Sequence, residues 1–203
     1  MLWYSCGQES VPVLYCRMIH RCILHNNFTS EIDEYHKLLV REVAQKFGLE
    51  KTLIQNIPAH FTLKYWFDAD EGELAQLERM LNEFCAAYRQ APVSIGAVKG
   101  FPPEVVFMDV QLSPEAKHIF NSLIAELKSI EWMAWDRFDA PNLHFHSTIA
   151  EECGEQYDAV LDYVRSRHTK HLNASFDNIT VTLQVGLIKK LPLLMPHGVF
   201  RLT

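Results

Sequence analysis

The sequence predicts an α+β fold in two pseudo-symmetric lobes, within a single domain spanning residues 1–203. Three observations support this reading. Strand and helix patterns alternate in the same order twice along the chain. Each half holds a short strand-like run with a histidine and a threonine two residues apart, "HFTLKYWF" at 60–67 and "LHFHSTIA" at 143–150. Hydrophobic residues make up 48% of the chain, enough to bury a full core, and no low-complexity tract or flexible linker divides it.

Taken in order, residues 12–25 ("PVLYCRMIHRCILH") form a long strand rich in Val, Ile, Leu and aromatic residues. A helix follows over 29–48. Ser30 is its expected cap, Ile32, Tyr35, Leu39, Val43 and Phe47 its apolar stripe, and Gly48 its stop. The strand opened by "HFTLKYWF" leads to a second amphipathic helix over 71–88, with Leu74, Leu77, Leu81, Phe84 and Tyr88 spaced three and four apart. "VSIGAV" and "EVVFMDVQL" are strands. "SPEAKHIFNSLIAEL" is a strongly signalled helix, with Ser113 as cap and Pro114 at the first helical position. "LHFHSTIA" is a strand, "EQYDAVLDYVRSRH" a helix, and "FDNITVTLQVGLIKK" one or two closing strands.

Charge and cysteine usage exclude several classes. A net charge of −6 argues against a broad nucleic-acid surface, which needs many Lys and Arg contacts to phosphate. The five cysteines (Cys6, Cys16, Cys22, Cys85 and Cys153) are scattered and form no C-x-x-C pair, so neither a disulfide scaffold nor a zinc site is expected. The opening residues lack a signal-peptide pattern, and no run approaches the ~20 apolar residues of a membrane span. The expectation is a cytoplasmic, monomeric protein with no membrane partner.

In a strand, alternate side chains share a face. His60, Thr62 and Lys64 therefore point one way and Phe61, Leu63 and Tyr65 the other; His144, His146 and Thr148 share a face in the second run. Two histidines presented from facing strands can work on opposite sides of a phosphodiester. One takes a proton from attacking water and the other gives one to the departing oxygen, and an unperturbed pKa of roughly 6.5 suits both tasks. A threonine about 6–7 Å along the strand can donate its hydroxyl to a non-bridging phosphate oxygen. Such chemistry calls for no cofactor and no metal.

These paired "histidine–hydrophobic–threonine–hydrophobic" strands, and the element order around them, resemble the two-histidine phosphoesterase superfamily. The likeness is to its LigT-like branch, which includes the bacterial 2'-5' RNA ligases and cyclic nucleotide phosphodiesterases, and it covers most of residues 12–190. The resemblance implies two lobes with antiparallel-rich sheets, helices packed outside and a central cleft. It also implies metal-independent opening of 2',3'-cyclic phosphates, usually leaving a 2'-phosphate, and in some members reversible 2'-5' RNA joining. His60 and His146 would then be the acid–base pair, and Thr62 and Thr148 the phosphate clamps. The substrate would be a small nucleotide or an RNA end carrying a cyclic phosphate or a 2'-5' linkage. The chain departs from the pattern at Ala59 and Phe145, where many members have proline, and at Ser147, where a hydrophobic residue is usual. Two other readings stay open: a non-catalytic binder of nucleotides or RNA ends, and a ligase acting in the joining direction.

Further candidates surround the motifs. Lys64 is a candidate phosphate or nucleotide ligand, and His144 a candidate to line the cleft. Trp132 and Trp135 are candidate base-stacking faces, and Arg137 a candidate phosphate contact. His168 and His171 are expected at an exposed helix end, and the remaining histidines share no pattern.

Overall fold

The structure, a computed structural model, describes residues 18–49, 57–141, 143–188 and 191–203. The first strand, β1 (Ile19–Asn27), packs Cys22 and Leu24 wholly out of solvent; residues 12–17 of its expected span lie outside the described residues. Helix α1 (Ser30–Phe47) begins one residue earlier than expected, with Thr29 rather than Ser30 at the N-cap position and no side-chain cap bond. It ends at Gly48, whose φ of 70° is the left-handed conformation that glycine adopts without a Cβ penalty.

Strand β2 (His60–Asp70) runs directly into α2 (Glu71–Ala87). A reciprocal cap makes the abrupt change possible: Asp70 accepts from the Glu73 N–H at 2.8 Å, while Glu73 accepts from the Asp70 N–H at 2.8 Å. Then come β3 (Ala91–Phe101), β4 (Val105–Leu112) and α3 (Pro114–Lys128), with Ser113 accepting from the Ala116 N–H as its cap. Strand β5 (His146–Ala150), a single 3-10 turn and α4 (Tyr157–Arg167) follow. Three strands rather than one or two close the chain: β6 (Leu172–Phe176), β7 (Asn178–Ile188) and β8 (Leu191–Arg201).

The strands make two four-stranded antiparallel sheets, ordered β2-β1-β7-β8 and β5-β4-β3-β6. The two lobes are therefore not the two halves of the chain. The first sheet joins the beginning of the chain to its end, and the second is built from the middle. Helix α2 covers the first sheet; α3 and α4 pack on β3 and β4 of the second. Helix α1 comes from the first stretch of sequence yet packs on β5 and α4 of the second lobe.

Both histidine–threonine strands, β2 and β5, are edge strands of their sheets, and they lie beside each other. Behind them the lobes share one core. The Phe61 ring of β2 sits 5.9 Å from Phe145 and 5.8 Å from Phe176, both edge to face. Where the chain returns from the second sheet to the first, fully buried Asn26 joins the two. Its Oδ1 accepts from the Asp177 and Asn178 N–H groups at 3.1 and 3.2 Å, and its Nδ2 donates to the Ser175 carbonyl at 3.3 Å.

Replacing Asn26 by leucine keeps the volume but leaves those buried backbone groups unpaired, each costing about 1–3 kcal/mol. Asn26→Leu is expected to lower the unfolding free energy by about 3 kcal/mol or more in urea titration; a loss below about 1 kcal/mol would remove Asn26 as the junction.

Candidate active site

His60 and His146 each begin their strand, and each ring is held in the same manner. His60 Nδ1 donates to the Pro58 carbonyl at 2.8 Å, and His146 Nδ1 to the His144 carbonyl at 2.7 Å. A carbonyl only accepts, so Nδ1 carries the hydrogen in both rings and Nε2 is the nitrogen left for chemistry. Thr62 and Thr148, two residues on, are partly buried on the same faces as their histidines. Ser147 points the other way, 1% exposed, with no partner for its hydroxyl.

Burial lowers the pKa of both imidazoles, and the carbonyl bonds only partly offset it. The two rings are near enough that His146 lowers His60 further, while the carboxylates of Asp33 and Asp109 pull His60 and His146 back up, respectively. The structure thus brings His60, Thr62, His146 and Thr148 together from two distant segments.

The surroundings of the two histidines differ. Beside His60 the His25 ring lies 4.7 Å away, fully buried, its Nε2 sharing a 2.7 Å hydrogen bond with the Thr182 hydroxyl. Burial holds His25 well below the ordinary histidine value. Asn27, opposite His60 across the ladder, donates to the Thr180 hydroxyl at 3.0 Å. Beside His146 stand two aromatic rings, Phe101 at 5.4 Å and Phe107 at 4.8 Å, with Phe101 exposed. The exposed His144 side chain donates to Asp109 at 2.9 Å. Burial works against the Asp109 charge, but bonds from Lys99, Gln111 and His144 hold its carboxyl below the usual range.

Other sequence candidates lie elsewhere. Lys64, expected on the face of His60, is instead fully buried. The β1–β2 register explains it: His25 pairs with Thr62 and Leu24 with Lys64, so Leu63 is an extra, bulged residue and Lys64 turns onto the apolar face. Its ammonium donates to Asp139 at 2.8 Å, and Asp139 also accepts from the Tyr65 and Asp136 N–H groups. In this position Lys64 pins the segment before the second motif and does not face the cleft.

Trp132 donates to Gln76, Trp135 lies under the Lys64 and Lys128 ammonium groups, and the Arg137 guanidinium lies 4.7 Å over Phe138. His168 is buried, not exposed: it accepts from the Tyr35 hydroxyl at 2.7 Å and donates to the Gly96 carbonyl at 3.0 Å. Asp33, His36, Asp109 and Asp139 carry no sequence signal of their roles, because each acts across a long loop or between lobes. Among the described residues no three His, Cys, Asp or Glu side chains gather as metal ligands.

A family model described as the 2'-5' RNA ligase superfamily matches residues 32–186. A protein of Geobacillus thermodenitrificans (strain NG80-2) named "Putative phosphoesterase" is 26% identical over 134 residues, 64% of this chain and 72% of that protein. Among solved structures, TT0787 of Thermus thermophilus superposes with a TM-score of 0.64 at 15% identity, covering 90% of this chain and 97% of the other. E. coli LigT in apo form gives 0.59 at 15% identity, covering 92% and 99%. At these identities the solved structures share the fold with this chain.

The buried groups make two outcomes measurable. Lys64→Met strands the Asp139 charge and is expected to cost about 3–5 kcal/mol, read by urea unfolding. Acid should also destabilise the protein well before its carboxylates titrate. His25, His36, His60, His146 and His168 all have folded pKa values below that of a free imidazole, His36 at about 4. The unfolded chain therefore binds more protons between roughly pH 6.5 and 4, and stability falls as pH drops through that window. Unfolding free energies at pH 7.5, 6 and 5 should decline in that order; a flat profile would contradict the buried neutral state of these rings.

Proposed function

The chain belongs to the 2'-5' RNA ligase superfamily and is an enzyme of phosphoesterase type, and from that premise we propose that it acts on 2',3'-cyclic phosphates or 2'-5' linked nucleotide or RNA ends without a metal ion. The observation that carries the proposal is the shared tautomer of His60 and His146, each with Nδ1 bonded behind it and Nε2 without a partner among the described residues.

In this reading the scissile phosphate lies between the two Nε2 atoms. Thr62 and Thr148 donate their hydroxyls to its non-bridging oxygens, where charge gathers in the transition state. One neutral imidazole takes a proton from water as the water oxygen bonds to phosphorus. The other, protonated, delivers a proton to the ribose oxygen as its bond to phosphorus breaks. The two rings exchange protonation states, and solvent restores them. With an RNA 5'-hydroxyl as attacking group the same two rings serve joining, so the ligase direction is the second arm of one mechanism.

Small nucleotides are the proposed partners. E. coli LigT, of the same fold, has been crystallised with 3'-AMP, with NADP+, with ATP and with phosphate. His144, exposed beside His146, is a candidate contact for the remainder of the substrate. No described helix is long and apolar enough to cross a membrane.

Turnover of the four nucleoside 2',3'-cyclic monophosphates and of 2'-5' linked dinucleotides tests the reading. His60→Ala and His146→Ala are each expected to cut kcat about 10²–10⁴-fold, and Thr62→Val or Thr148→Val about 10²-fold. Activity should survive chelator; collapse with chelator and recovery with zinc or magnesium would overturn the metal-free scheme. The pH profile of kcat/KM should be a bell. Because the free-enzyme pKa values of both rings lie below that of an ordinary imidazole, both limbs should fall below roughly pH 6.5, the pair titrating as a unit. A bound phosphate anion favours protonated rings, so the kcat profile should shift to higher pH.

A further inference from the structure

Both catalytic strands are edges, and each belongs to a different sheet. Backbone pairing within either sheet therefore leaves open the distance and angle between His60 and His146. Helix α1 bonds to β5 and to the residue just before β2. Asp33 and His36 lie one turn apart, three residues along the helix and so on one face.

Asp33 Oδ1 accepts from the Ala59 N–H at 2.7 Å. That N–H belongs to the same peptide unit as the Pro58 carbonyl, which accepts from His60 Nδ1 at 2.8 Å. One peptide plane is thus held at one end by Asp33 and orients the His60 ring with the other. A residue later, the Ala59 carbonyl accepts from the Phe28 N–H at 2.9 Å, and that bond too is anchored beside α1.

His36 reaches the other motif. Its Nε2 donates to the Thr148 carbonyl at 2.7 Å, bonding the backbone of the threonine expected to hold phosphate. Among the described residues β5 pairs with β4 alone, so this carbonyl lies on an edge strand. Burial pushes the His36 pKa down to about 4, which keeps the ring neutral and this bond unchanged over the working pH range. The other Asp33 oxygen accepts from Lys37 at 2.6 Å, which steadies the carboxylate on its own helix.

We propose that Asp33 and His36 are positioning residues that together set the spacing of the two catalytic strands, with α1 acting as a rigid ruler across the cleft. Neither touches the reacting atoms. Their effect passes through the Pro58–Ala59 peptide to His60 and through the Thr148 backbone to its hydroxyl. A misplacement near 1 Å can cost about 10²-fold in rate, so the loss should appear in kcat.

The proposal rests on the phosphoesterase reading only for its kinetic arm. Asp33→Ala and His36→Phe are expected to lower kcat about 10-fold or more, with KM within about two-fold. Asp33→Asn and His36→Gln keep an acceptor and a donor at the same places and should stay within about three-fold of wild type. Because both bonds hold one geometry, the Asp33→Ala/His36→Phe double variant should lose less than the product of the single losses.

The second arm needs no turnover. In 15N-edited NMR, wild-type His60 and His146 should each show a single Nδ1–H tautomer. Asp33→Ala should move His60 towards tautomer averaging and speed exchange of the Ala59 amide, while Asp33→Asn should not. His36→Phe should shift the Thr148 and His146 resonances, while His36→Gln should leave them near wild type. Wild type inactive on every phosphate tested, with these spectral changes present, would sink the functional reading and leave the ruler standing. Wild-type kcat together with unaltered imidazole spectra in Asp33→Ala and His36→Phe would overturn the ruler. Should those two variants fail to fold, a kcat loss above about 10-fold in folded His36→Gln and Asp33→Asn would overturn it equally.

Discussion

The site depends on one constraint: two edge strands of different sheets must lie side by side with their apolar faces in a common core. Phe61 meets that demand from β2 and Phe145 from the start of the second motif, and Phe176 and Phe28 close around the same ring. An edge strand usually needs protection from pairing with another chain. Here the edges are used as the two sides of a cleft. Alternation then does the rest: once Phe61 and Ile149 are inward, His60, Thr62, His146 and Thr148 are turned to the front with no further instruction.

The departure from alternation is equally informative. One bulged residue at Leu63 reverses the side on which Lys64 emerges, and a buried lysine needs a counter-charge. Asp139 supplies it and in doing so fastens the long segment between α3 and β5 against β2. This ion pair is weak ground for net stability, since well-packed apolar residues often do as well. What it provides is location. The segment that delivers His144 and His146 is tied to the opposite lobe 75 residues earlier in the chain.

Much of this was legible in the sequence where local rules decide the outcome. Ser113–Pro114 begins α3, Gly48 ends α1, and the apolar stripes of α1 and α2 face the core. The front faces of the two H-x-T runs follow from period two alone. The features that were not legible are set by long-range pairing. Strand β8, with two prolines and a glycine, has weak strand character and exists because β7 pairs with it along its length. Strand β6 is five residues of mixed polarity that β3 recruits. The bulge that buries Lys64 depends on the register with β1, which no single strand reveals. Asp33 and His36 read as ordinary helix residues until the positions of Ala59 and Thr148 are known.

The repeat within the site is local, and its setting is not. Each histidine uses the carbonyl two residues upstream to fix the same tautomer, so the device recurs wherever the chemistry needs a free Nε2. Around it the two lobes diverge. His60 backs onto polar groups, buried His25, Thr180 and Thr182 and half-buried Asn27, that tie its sheet together. His146 is bordered by the exposed Phe101 ring and by His144 with its carboxylate partner, a wall with apolar area and a polar edge. In the proposed mechanism two imidazoles with one tautomer grip a phosphorus centre from either side, and a substrate larger than phosphate would meet two different walls. Asymmetry of that kind would, in the same mechanism, give a two-fold-like pair a single binding direction, and it resides in residues that the H-x-T pattern does not include.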